Sequence, residues 1–467
     1  MNNDSAARIV AVLRSWIEAA PPGAQLPSNR TLVTRHGASP VTVQKAVRQL
    51  SALGLVETRP GVGTFVRTVR SSRPADLGWQ TAALGAPRTR ARGISATQRA
   101  TVPDAIALHS GYPARELLPE RLVRAALARA ARTETAMTSS PAAGLPELQS
   151  WFAGQVAAAV PGTAAPAPRE ALITPGSQSG LSSVFRALVG PGQPLLVESP
   201  TYWGAILAAE QTGVVLVPVP SGAGGPDPED VDRAFAATGA RAFYAQPGFA
   251  NPTGAQWSPD TGRAVLDVVR RRGAFLIEDD WAHDLGIDDE VQPLVAQDHD
   301  GHVVYLRSLT KSVSPALRVA AVIARGPARE RILADRASEA MYVSGLLQAA
   351  ALDVVTQPGW STHLRSMRLQ LRARRDQLLE SVRTGAPGLH VDQVPRGGLN
   401  LWARLPDGTD VQQLVRDCEA RGLAIAGGDE WFPAEPSGPF VRLNFAAEDP
   451  ARFPEAGRIL GEALQRA

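Results

Sequence analysis

The sequence predicts an α/β chain in two parts: a small basic helical module that ends in a β-hairpin, and a large body of alternating strands and helices. Three observations lead there. Charge is unevenly split: residues 1–103 carry 14 Lys+Arg against 4 Asp+Glu, net +10, and the other 364 carry 34 against 41, net −7. The first 66 residues show helical apolar spacing closed by a Gly-rich turn between two short strand-like runs. From about residue 104, seven short apolar runs recur with helical stretches between them.

Composition narrows the class. The 467 residues are 44% hydrophobic and 20% charged, as in globular proteins of two to four domains. One cysteine, Cys418, excludes an internal disulfide and a Cys-cluster metal site. No run approaches ~18 uninterrupted apolar residues, so no membrane span is expected. Met1-Asn2-Asn3-Asp4 lacks the basic-then-apolar form of a signal peptide. The expectation is a cytoplasmic protein with no metal and no membrane association.

The front module, residues 1–67, reads element by element. Ile9, Leu13, Trp16 and Ile17 form one face of a first helix, ended by Pro21-Pro22-Gly23. A second helix follows Pro27 with Ser28 as N-cap and stops near Gly37. The third has Ser39 as N-cap and Pro40 at its first position. Its Val43, Ala46, Val47 and Leu50 face inward, leaving Thr42, Gln44, Lys45 and Arg48 outward. Leu55–Arg59 and Thr64–Val66 flank Pro60-Gly61-Val62-Gly63 as a hairpin wing.

Three helices, a wing and a basic outer face make a winged helix-turn-helix, whose third helix suits a DNA major groove. The detail resembles the GntR regulators: Leu26-Pro27-Ser28-Asn29-Arg30, Ser39-Pro40-Val41-Thr42-Val43, Gly54-Leu55-Val56 and Gly61-Val62-Gly63-Thr64-Phe65-Val66. The resemblance implies a double-stranded DNA operator as partner. It implies contacts from Arg30, Ser39, Thr42, Gln44, Lys45, Arg48, Arg59, Gly61 and Gly63. Pro40 departs from the family, which usually has Arg there; specificity then rests more on Thr42, Gln44 and Arg48.

Residues 68–103 read as a linker with Arg73, Arg88, Arg90, Arg92 and Arg99 and little periodicity. Fully extended, they span at most ~120 Å.

The body, residues 104–467, has strand-like runs at 171–174, 194–198, 214–219, 242–247, 274–280, 303–308 and 319–324. Seven strands interleaved with helices indicate a layered α/β sheet, with ligands outside the strand ends. The residues past those ends are Thr174-Pro175-Gly176-Ser177-Gln178, Pro200-Thr201-Tyr202, Asn251-Pro252-Thr253-Gly254, Glu278-Asp279-Asp280 and Ser308-Leu309-Thr310-Lys311, followed by Arg318. Pyridoxal phosphate chemistry needs such parts: a lysine for a Schiff base, a carboxylate at the pyridine nitrogen and an anion site. The chain has only two lysines. Lys45 lies on the third helix of the front module, which leaves Lys311 in the body.

Residues 104–467 resemble the fold-type I aminotransferases, and the whole chain resembles the MocR subfamily of GntR regulators. The resemblance implies a seven-stranded, mainly parallel sheet plus a smaller C-terminal subdomain, and a homodimer. It makes Lys311 the Schiff-base lysine, Asp279 the partner of the pyridine nitrogen, Asn251 that of the ring hydroxyl, and Tyr202 the stacking ring. Ser177, Gln178, Ser308 and Arg318 would hold the phosphate. Arg442, in Phe440-Val441-Arg442-Leu443-Asn444-Phe445, would grip an effector carboxylate bidentately.

Two departures bear on catalysis. Trp281 stands in the cofactor set where the family commonly has a Tyr that bonds the ring hydroxyl; an indole N–H donates but neither accepts nor ionises. Ser139 opens Ser139–Gly144, a segment that in many relatives begins with Tyr reaching the neighbouring subunit's phosphate. The expected function is a pyridoxal-phosphate-dependent transcriptional regulator sensing an amino acid or amine, or the cofactor itself. The alternative is a working aminotransferase that carries a DNA-binding head.

Overall fold

The computed structural model describes residues 3–67, 95–102, 104–159 and 166–466. They fall into two units, 3–67 and 95–466, taken here one at a time. Arg73, Arg88, Arg90 and Arg92 of the linker lie outside the described residues.

In the front unit, α1 (Asn3–Ala19), α2 (Asn29–His36) and α3 (Pro40–Ala52) precede β1 (Val56–Arg59) and β2 (Gly63–Val66). The caps are those read from sequence. Ser28 Oγ accepts the N–H of Thr31 at 3.2 Å, and Ser39 Oγ that of Thr42 at 3.2 Å. Gly37 closes α2 in the left-handed region at φ +57°. Ile9, Leu13 and Ile17 pack on Val43, Ala46, Val47 and Leu50, and Leu26, Val56 and Val66 close the core. The wing is antiparallel, with Val56 opposite Val66 and Arg59 opposite Gly63.

The second unit is built on eight strands. β4 (Ala171–Thr174), β5 (Pro194–Ser199), β6 (Val215–Gly222), β8 (Ala242–Ala245), β9 (Phe275–Asp280), β10 (Val303–Ser308) and β11 (Ala320–Ile323) correspond to the seven runs. β7 (Gly225–Pro226) adds a two-residue hairpin to the edge, and the order is β4-β11-β10-β9-β8-β5-β6-β7. β6, β5, β8, β9 and β10 run parallel, with β11 antiparallel beside β10. The sheet interior is apolar on both faces, as helices covering both sides require.

The smaller lobe has a three-stranded sheet of β12 (Asn400–Arg404), β15 (Phe440–Asn444) and β14 (Ala426–Gly427). It is not purely C-terminal. β3 (Ile106–Ala107) pairs in parallel with β13 (Leu423–Ala424), and Ile106, Leu108, Ala114 and Leu117 enter its core because they are apolar and follow that pairing. The sequence reading runs the linker to residue 103, but residues 95–102 belong to the body unit. Ser95, Ala96 and Thr97 are buried there, and Glu430 accepts the Ser95 hydroxyl at 2.6 Å and the Ala96 N–H at 2.9 Å.

Among the described residues no helix is long and apolar enough to cross a membrane, and no group of three or more His, Cys, Asp or Glu is arranged to hold a metal ion. Cys418 is buried and unbridged.

Candidate functional site

The strand ends converge on one cavity of about 400 Å³. Ser177, Gln178, Tyr202, Asn251, Asp279, Trp281, Ser308, Lys311, Arg318 and Arg442 all line it, so the residues assigned from sequence to the cofactor and effector are in one place, while Ser139 is exposed and outside it. Thr97, Gln98, Gly111, Tyr112, Trp203, Leu207 and Gln246 complete much of the wall.

Asp279 is brought in by β9, one residue before the strand ends. Its Oδ2 accepts Tyr244 Oη–H at 2.8 Å and the Gln246 side-chain amide at 2.9 Å. Its Oδ1 is buried and has no partner. Burial pushes this carboxyl up to about 6, against the pull of those two hydrogen bonds.

Lys311 follows β10 across a turn in which Ser308 Oγ accepts the N–H of Thr310 at 3.1 Å. Its Nζ donates to the Gly111 carbonyl at 2.7 Å and lies 3.3 Å from the centroid of the Tyr112 ring. Burial, then the charges of Arg442 and Arg318, pulls the ammonium down to about 7. A large share of the amine is therefore neutral at physiological pH and able to attack an aldehyde.

Arg318 has a left-handed backbone, φ +51°. Its guanidinium lies against Gly176, itself at φ +93°, and donates to the Pro175 carbonyl at 3.3 Å. A side chain at 176 would occupy the guanidinium's place. Ser177 and Gln178 open the helix Ser177–Val184, whose N-terminus adds free N–H donors for an anion. Gln178 donates to Gly204 O at 2.7 Å and accepts Tyr202 Oη–H at 3.2 Å, fixing the tyrosine ring in the wall.

Arg442 projects from β15 and is fully buried. It donates to His109 O at 2.6 Å and to Asn251 Oδ1 at 3.4 Å, stacks 4.8 Å from the Trp431 ring centroid, and keeps Nε without a partner. Burial pulls it down to about 10, so it remains charged at neutral pH. Trp281 does not offer its indole N–H to the cavity: that group donates to Phe249 O at 3.1 Å.

The cavity thus holds two guanidinium cations, Arg318 and Arg442, and the amine of Lys311, none paired with a carboxylate among the described residues, and one carboxylate with an empty oxygen. That donor set fits pyridoxal phosphate: anion sites at Gly176–Gln178 with Arg318, a buried Asp279 oxygen for a cationic ring N–H, and a lysine low enough to react. Gln246 escaped the sequence reading because it was absorbed into the run 242–247, although β8 stops at Ala245 and the strand-end rule points to it. Gly111, Tyr112 and His109 left no local signal, being about 200 to 333 residues from their partners.

In the front unit Gln44, Lys45 and Arg48 are exposed on α3, Thr42 is half-buried, and Arg30 is exposed on α2. Ser39 spends its oxygen on the cap of α3. Arg59 is held within the wing, by Glu57 and 4.8 Å above the Phe65 ring. Gly61 takes φ +74° at the wing tip, and Gly63 packs against Gln25.

Fold and cavity together define a winged helix-turn-helix joined to a fold-type I, pyridoxal-phosphate-type body. The chain belongs to the aminotransferase class I and II family, which matches residues 103–456. Residues 5–66 match the bacterial regulatory proteins of the gntR family, and the combination is the MocR-like architecture. The 2-aminoadipate transaminase of Thermus thermophilus is 29% identical over 397 residues, covering 83% of this chain and 98% of that protein. The probable rhizopine catabolism regulatory protein MocR of Rhizobium meliloti is 27% identical over 448 residues, 94% of this chain and 89% of that one. Among solved structures, LysN, the alpha-aminoadipate aminotransferase of Thermus thermophilus complexed with N-(5'-phosphopyridoxyl)-L-leucine, superposes with TM-score 0.72 at 28% identity, over 79% of this chain and 95% of that chain.

Proposed function

We propose that this protein is a cytoplasmic, homodimeric transcriptional regulator that binds an operator through residues 1–67 and senses an amino acid or amine through residues 95–467, with 68–94 as the linker. The observation that carries the reading is the joint occurrence of a GntR-type head and a cavity whose charged groups match pyridoxal phosphate and an amino-acid carboxylate. Pyridoxal phosphate, when bound, supplies an aldehyde and an electron-withdrawing ring.

The chain's own residues do the rest. Lys311 provides the amine that captures the aldehyde, and its low proton affinity keeps it reactive. Asp279 holds the proton on the ring nitrogen through its free Oδ1, with Gln246 and Tyr244 fixing the carboxylate. Ser177, Gln178, Ser308 and Arg318 hold the phosphate, Tyr202 covers the ring, and Asn251 meets its hydroxyl. Trp281 shapes the cavity wall without its N–H. Arg442 receives the effector carboxylate, with Nε the donor that the protein leaves without a partner. In the head, Arg30, Thr42, Gln44, Lys45 and Arg48 reach DNA, with Ser39, Arg59, Gly61 and Gly63 shaping the helix start and wing.

The test is one preparation read two ways. The cofactor-loaded full chain is titrated with amino acids and amines while its visible spectrum and its affinity for operator DNA are recorded. The reading expects both to change with one ligand, and both responses to vanish in Lys311→Ala. DNA affinity that responds to pyridoxal phosphate alone, and to no amine, would make the cofactor itself the signal. A second reading, an aminotransferase with a DNA-binding head, is favoured by the transaminase relative that this chain covers almost end to end. Sustained turnover of an amino acid with 2-oxoglutarate would establish it.

A further inference from the structure

A second, larger cavity of about 660 Å³ opens beside the first, and Gln98, Trp203 and Leu207 line both. The inner cavity, at the low end of the about 300–1,000 Å³ typical of small-molecule sites, holds all the groups that suit a cofactor and an α-carboxylate. The outer one is different in character. Its apolar wall is Trp203, Leu207 and Val415, and its polar groups include the amides of Gln98, Gln211 and Gln412.

Its two charged side chains are already engaged. Arg99 pairs with Glu419 at 3.1 Å, and both oxygens of Glu430 are taken, by Ser95 Oγ at 2.6 Å and Ala96 N–H at 2.9 Å. An anionic side chain would meet the Glu430 carboxylate and an Arg99 already paired, and a cationic one only a carboxylate already holding two hydrogen bonds, whereas a large neutral one would bury apolar surface against the tryptophan and leucine.

We propose that the outer cavity receives the effector's side chain, and that the effector is an amino acid with a large uncharged side chain, aromatic or long aliphatic. The inference rests on the amino-group-sensing reading above and adds the ligand class to it. Because Gln98, Trp203 and Leu207 wall both cavities, a side chain that leaves the inner cavity between them enters the outer one.

The cofactor-loaded full chain is titrated, by visible absorbance, with L-tryptophan, L-phenylalanine, L-leucine, L-alanine, L-aspartate and L-lysine. The same panel is run on Gln211→Trp and Gln412→Trp, two exposed positions of the outer cavity only, where added bulk fills space without touching the inner site. The large neutral amino acids are expected to saturate at concentrations at least about tenfold below the others. At least one variant is expected to remove most of that advantage while its alanine response stays within about twofold. Aspartate or lysine saturating first, alanine matching phenylalanine, or both variants leaving the order unchanged would overturn the ligand class and leave amine sensing standing. No spectral response to any of the six, alanine included, would overturn amine sensing and this inference with it.

Discussion

Gln246 donates its side-chain amide to Asp279 Oδ2 at 2.9 Å while its own Oε1 accepts the backbone N–H of Asn251 at 2.9 Å. One uncharged side chain therefore sets both the carboxylate assigned to the ring nitrogen and the loop that carries the ring-hydroxyl partner. Gln246→Leu removes a hydrogen bond to a charged group, an interaction of about 1.5–3 kcal/mol. The Asp279 carboxyl then rises further above about 6 and is less ionised at neutral pH. Pyridoxal phosphate affinity at pH 7, from absorbance titration, is expected to fall at least about tenfold, with a steeper loss toward pH 6.

Lys311 predicts a pH profile. Its amine becomes neutral through about pH 7, so the rate of cofactor uptake should rise from pH 5 to about 7 and then level off. An exposed lysine would keep gaining up to about pH 10.4. The sign for stability follows. The folded value lies below the unfolded one, so between them the unfolded chain binds more protons and the cofactor-free protein gains stability as pH rises. Below about pH 7 the cost of the buried ammonium is fully present. Lys311→Met should therefore raise the Tm of the cofactor-free chain at pH 6, by a margin that shrinks toward pH 10.

Gly176 and Arg318 give a test of the phosphate assignment. Arg318→Ala should weaken pyridoxal phosphate about ten- to a hundredfold and leave pyridoxal unchanged, since only the former carries the anion. Gly176→Ala should reproduce that selectivity without removing a charge, because a methyl group there displaces the guanidinium. The strained φ of +93° adds a stability cost of about 1–3 kcal/mol, read by denaturant unfolding.

In the head, Arg48 and Ser39 should separate cleanly. Arg48 is exposed and outside the core, so Arg48→Ala should leave Tm unchanged and lower the slope of log affinity against log salt by about one. Ser39 caps α3, so Ser39→Ala should cost about 1 kcal/mol of stability and leave that slope as it was.

The sequence was most readable where the chemistry is local. Ser28, Ser39 and Gly37 act at their own helix ends, and the seven apolar runs became seven strands because β-branched and aliphatic residues between turn signals fit a sheet covered on both faces. The convergence of Ser177, Tyr202, Asn251, Asp279 and Lys311 followed from the topology, since ligands collect at strand ends. Long-range contacts were illegible. Nothing near Gly111 or Tyr112 announces that they roof Lys311, and no periodicity tells that Glu430 fastens Ser95. Trp281 was readable as a departure, but the Phe249 carbonyl that occupies its N–H could only be found in three dimensions.

Gln98 stands on the shared wall of both cavities, and Ser95, three residues upstream, begins the described part of the body. The segment that walls both cavities is thus the one that the sequence continues, through residues 68–94, to the front unit. The Glu430 carboxylate, gripping Ser95 and Ala96, moors that segment to the body.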